Sequence, residues 1–149
     1  MAEKKGATLD SIVTYLEQLY AKLPSLPANI KEFIVMVTPW LALIFGVLGV
    51  LGSLSAFGIS VVASPLVALG GGFNAATGLI VATVIGLVAS VMELIAFPGL
   101  LNKKMSGWTM LFWVEALGVL SAVISLSGFG VIMALVWYYF IFQIKSYYK

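Results

Sequence analysis

The sequence predicts an all-α polytopic membrane protein, a bundle of four transmembrane helices preceded by an N-terminal amphipathic helix. Three observations carry this. The 149 residues are 62% hydrophobic and 9% charged, against roughly 45–50% and about 25% in an ordinary soluble domain. Long apolar segments begin near Phe33 and recur to the C-terminus. The lysines fall only where four spans would place one face of a membrane.

The chain divides into residues 1–32, an amphipathic helix with a proline-containing linker, and a transmembrane domain, 33–149. Over residues 7–23, Leu9, Ile12, Val13, Leu16, Leu19, Tyr20 and Leu23 recur at the spacing of one helical face. Asp10, Glu17, Gln18 and Lys22 occupy the rest, and Thr8 or Ser11 is placed to cap the start. Such a helix lies in the membrane interface or packs on the bundle's own end. Lys4 and Lys5 precede this amphipathic stretch, not the short apolar run of a secretory signal. Pro24 and Pro27 then break the helix, because proline lacks a donor and disfavours helical geometry before it.

The first span is expected at about 33–57, with Pro39 near its start. Residues 58–74 are apolar but interrupted by Pro65 and by Gly70-Gly71-Gly72. They read as a short helix or loop on the outer face, or as a re-entrant segment. The second span is expected at about 75–97, ending at Pro98-Gly99, and the third at about 108–126. Ser127-Gly128-Phe129-Gly130 reads as a tight turn into a fourth span at about 131–144.

Four spans place the N-terminus, the 99–107 loop and the C-terminus together. All eight lysines then share one side, which the positive-inside bias makes cytoplasmic. Lys103, Lys104, Trp108, Trp137, Tyr147 and Tyr148 read as interface anchors facing lipid headgroups.

Composition excludes several chemistries. Without Cys or His there is no thiolate nucleophile, no sulfur metal site and no imidazole base. There is no Arg for bidentate phosphate or nucleic-acid recognition, and Asp10 is the only Asp. An enzyme, a cofactor and a metal are therefore not expected. The net charge of +2 is too small to point to nucleic acid. The expected partners are the lipid bilayer and either a second copy, as a homodimer, or another membrane protein.

Two groups of residues remain to carry function. Gly46, Gly49, Gly78, Ala82, Gly86 and Ser90 form small-residue ridges, which let helix backbones approach in lipid. They pack the spans of one chain together or form a homodimer seam. Glu93 and Glu115 are the charges inside the spans. At about 100° per residue Glu93 lies near Gly86 and Ser90, and Glu115 near Ala122, so both point into the bundle. They form a candidate intramembrane proton or cation site. Alternatively they are structural, pairing with Lys103, Lys104 or Lys145, or bonding a hydroxyl or carbonyl.

The stretch Leu26-Pro27-Ala28-Asn29-Ile30-Lys31-Glu32-Phe33, with Phe97-Pro98-Gly99-Leu100, Ser106-Gly107-Trp108 and Gln143-Ile144-Lys145-Ser146-Tyr147-Tyr148-Lys149, resembles a group of small uncharacterised bacterial membrane proteins. The resemblance implies a bacterial inner-membrane protein and no mechanism. Small multidrug transporters also have four spans and a membrane glutamate, but theirs lies in the first span, which here has none. The leading expectation is a non-enzymatic structural or scaffold protein. The alternative is a small proton- or cation-coupled transporter using Glu93 and Glu115.

Overall fold

The structure is a computed structural model that describes residues 2–149, with side chains for 11–74 and 76–149. The expectations for the side chains of Lys4, Lys5, Thr8, Leu9 and Asp10 lie outside the described residues. The chain forms α1 (Ala2–Tyr20), α2 (Ala28–Asn74), α3 (Ala76–Leu101), α4 (Met105–Ile124) and α5 (Gly128–Ile144), then a 3-10 turn at Lys145–Tyr147. The last four helices, α5 taken together with its 3-10 turn, are each long and apolar enough to cross a membrane.

The largest departure from expectation is α2. Residues 58–74 are not a separate short helix or loop; they continue α2, which runs 47 residues. Pro39 and Pro65 both lie inside it. Pro65 cannot donate to the Val61 carbonyl, but the Ser64 hydroxyl donates to that oxygen at 3.0 Å. The helix thereby continues without an orphaned acceptor. The break comes at Gly72, whose φ of 81° and ψ of 168° are essentially reserved to glycine.

α3 turns back along α2, and small residues form the seam. Gly46 faces Leu94, Gly49 faces Ser90 and Gly86 faces Ser53, each with no room for a larger side chain except at Gly86, where contact is ordinary. Farther along, the Ser60 and Thr83 hydroxyls lie 3.4 Å apart. Gly78 faces open space and Ala82 is half-buried. The ridge read from the sequence therefore packs within the chain at Gly46, Gly49, Gly86 and Ser90, but not at Gly78.

Two helix ends also differ from expectation. α3 runs through Pro98-Gly99 to Leu101, and α4 stops at Ile124, before the Ser127-Gly128 turn. Both end in the same hydrogen-bond pattern. Lys104 N donates to Gly99 O and Lys103 N to Leu100 O; Ser127 N donates to Ala122 O and Leu126 N to Val123 O. This is the Schellman arrangement, with Lys103 and Leu126 at φ 51° in the position glycine usually fills. Ser127 then caps α5 by accepting from Gly130 N at 3.1 Å.

The core sits at the lysine-bearing end. Val35, Ala96, Leu100, Trp108, Phe112, Tyr138, Ile141, Ile144 and Tyr148 form one buried cluster, and Val13, Leu16 and Tyr20 of α1 pack against it. Ile12, Tyr15 and Leu19 stay exposed. Trp108, expected as an interface anchor, is instead 2% exposed, and its indole N–H donates to Ile141 O at 2.9 Å. The apolar ring and its one donor are both satisfied by α5, so the side chain turns inward. Tyr148 is likewise buried, while Lys103, Lys104 and Trp137 are exposed and Tyr147 is half-buried.

Candidate functional site

Glu93 on α3 and Glu115 on α4 line one cavity of about 300 Å³. The α3–α4 connection sets their common level. Gly99 and Gly107 meet backbone to backbone, and a Cβ on Gly107 would fall 2.5 Å from Gly99 C and Leu100 N. From that contact the helices diverge in opposite chain directions. Glu93 is six residues before Gly99 and Glu115 eight after Gly107, so each stands roughly 9–12 Å along its helix.

The other walls come from α2 and α5. Ile34, Thr38, Leu41 and Phe45 supply one side; Trp137, Phe140, Ile141 and Ile144 supply the other. The Thr38 hydroxyl donates to Ile34 O at 2.6 Å, so its proton is already committed. Among the described residues, no hydrogen bond or ion pair reaches either glutamate. The lysines named as structural partners are placed elsewhere. Lys145 pairs with Glu17 and lies over the Trp108 ring, while Lys103 and Lys104 are exposed.

The sequence reading therefore identified the two acids and their common facing, but not the aromatic wall. Trp137 reads from the sequence as an interface anchor, not as part of a cavity wall. The spacing of three residues between Trp137 and Phe140, which puts both on one helical face, was the available signal. Thr38 gave no signal at all. An apolar, aromatic-edged cavity with two carboxylates can hold protons, or a cation against the acids and ring faces. Among the described residues no three His, Cys, Asp or Glu side chains gather as a metal site.

No protein-family model, curated protein or solved structure matches this chain.

Proposed function

We propose that this is a bacterial inner-membrane protein with cytoplasmic termini that binds a proton or small cation at Glu93 and Glu115 and couples that binding to transport. The orientation rests on the eight lysines and the positive-inside bias. One observation carries the functional reading: two carboxylates line the same apolar cavity with no partner among the described residues. Both are half-buried, and an unpaired charge within a membrane span is costly, so each acid needs a proton or a counter-ion. The residue inventory, without His, Cys or Arg, speaks against an enzyme.

The test is carbodiimide labelling of the chain in liposomes across pH, read by mass spectrometry, with Glu93→Gln and Glu115→Gln compared in a proton-flux assay. The reading expects labelling at both glutamates that declines as pH rises, and flux lost in either variant. Labelling that is absent or independent of pH, with flux unchanged, sinks it.

A scaffold role is the second reading, and the α2–α3 tip favours it. From Phe33 to Gly71, α2 rises roughly 58 Å at about 1.5 Å per residue. The hydrocarbon layer is about 30 Å thick, and transmembrane helices tilt by no more than about 40°. The tip therefore extends past the hydrocarbon layer while Val62, Leu66, Leu69 and Phe73 are 72–86% exposed. Such a surface fits contact with another membrane protein or a second copy. The chain has no Cys, so Leu69→Cys can be probed alone with a membrane-impermeant maleimide and with disulfide cross-linking. Protection and a cross-linked species support the scaffold; free labelling of a single uncross-linked chain argues against it.

A further inference from the structure

A second pocket, of about 460 Å³, opens at the lysine-bearing end between α1 with its linker and the ends of α2 and α5. Its position follows from how the linker is pinned. Tyr139 and Gln143 of α5 both donate to Pro24 O, at 2.7 and 3.3 Å, and Leu26 N donates to Gln143 Oε1 at 3.3 Å. Tyr20 stacks on Phe142 with ring centroids 5.2 Å apart. The linker is held against α5, and a gap is left beneath it.

The groups around that gap are mostly donors. Lys31 and Lys145, far apart in sequence, both line it, with the Ser25 and Ser146 hydroxyls. Lys31 Nζ donates to Ser25 Oγ at 2.8 Å, a neutral partner that leaves its charge uncompensated. Among the described residues the only acid on the wall is Glu17, paired with Lys145. Tyr148 completes the wall. The residue is 3% exposed, and its hydroxyl has no hydrogen-bond partner. Burial pushes this phenol up to about 12, so at neutral pH it is a protonated donor without an acceptor. A buried donor left in that state is costly, and an acceptor that reached it would relieve the cost.

We propose that this pocket takes a phosphate group, carried on a lipid headgroup or free in solution, with Lys31 and Lys145 as its cations and the Tyr148 hydroxyl as a donor. A phosphate has oxygens pointing in several directions and negative charge to match two ammonium groups. Lys145 is then shared between the anion and Glu17, so Glu17 competes with the ligand. The Tyr148 hydroxyl is closed off from the open part of the pocket, so the phosphate accepts from it only after the wall shifts. The site lies at the chain end assigned to the headgroup layer, and it is independent of the Glu93–Glu115 cavity.

The test uses the full-length chain in detergent. Native mass spectrometry reads retention of phosphatidylglycerol against phosphatidylcholine, and calorimetry reads inorganic phosphate. Phosphatidylglycerol is expected to be retained preferentially. Lys31→Gln and Tyr148→Phe should each weaken retention about tenfold, and Glu17→Gln should strengthen it several-fold. Tyr148→Phe removes an unpartnered hydroxyl, so it leaves the fold intact. If inorganic phosphate binds with the same dependence on the variants and displaces the lipid, the ligand is soluble phosphate. If only the lipid binds, it is the headgroup. Equal retention of the two lipids with no phosphate binding overturns the proposal, as does a Tyr148→Phe chain that binds like the original.

Discussion

At the lysine-bearing end, α1, the linker and the C-terminal segment close around an aromatic core. Phe112 and Phe142 each lie within about 6 Å of Trp108, of Tyr138 and of each other, ring to ring. The C-terminal residue is tied to the α3–α4 loop by Met105 N donating to Lys149 O and Lys149 N to Lys103 O. At the opposite end α2 and α3 stand as a bare hairpin. There Ser60 and Ala76 are buried, while large apolar side chains point outward. The first end is specified by side-chain fit and satisfied donors, as in a soluble core. The second is specified by little more than helix length and one glycine. Function that needs fixed geometry belongs at the first end, and contact with other apolar surfaces at the second.

Glycine substitutions probe this contrast most directly. Gly107→Val places a side chain into the Gly99–Leu100 backbone and should cost about 3 kcal/mol or more. Gly78→Val, with nothing within 4 Å, should change stability by no more than about 0.5 kcal/mol. Denaturation in detergent measures both; similar losses would erase the contrast. Within the tip, Gly72→Ala should cost about 1–3 kcal/mol because of its positive φ. Gly70→Ala, in open space, should not destabilise, and a reversed order would place the break elsewhere.

Smaller effects sharpen the picture. Leu126→Gly relieves the left-handed position after α4 and should stabilise by about 1 kcal/mol, read as a higher melting temperature. Glu17→Gln breaks an ion pair whose acid is 48% exposed and should cost less than about 1 kcal/mol, less still in high salt. A separate signal is alkaline. Because the Tyr148 phenol is raised in the folded chain, the unfolded chain loses that proton first as pH climbs past about 10. Stability should therefore fall between about pH 10 and 12, and Tyr148→Phe should flatten that part of the curve. An unchanged curve would mean the phenol is not buried in the folded chain.

Particular residues show why some features were legible in the sequence and others were not. Glu93 and Glu115 were placed on inward faces by counting 100° steps from Gly86 and Ala122, since helix geometry fixes facing locally. The stops at Lys103 and Leu126 were missed because neither is glycine; hydrogen bonds to Gly99, Leu100, Ala122 and Val123 define those ends. Pro65 read as a breaker because a proline's cost is local, whereas its compensation by the neighbouring Ser64 hydroxyl depends on the rotamer.

The sequence by itself determined the helical class, the four apolar helices and the gathering of lysines at alternate helix ends. These follow from hydropathy and length, which sum along the chain and need no partner. Only the tertiary structure decided that α2 runs on to Gly72 and that Trp108 turns inward. It alone put both glutamates on one cavity and left Tyr148 with an unused proton beside two lysines. Each of these depends on contacts between residues far apart in sequence, where fit and donor satisfaction outweigh local preference.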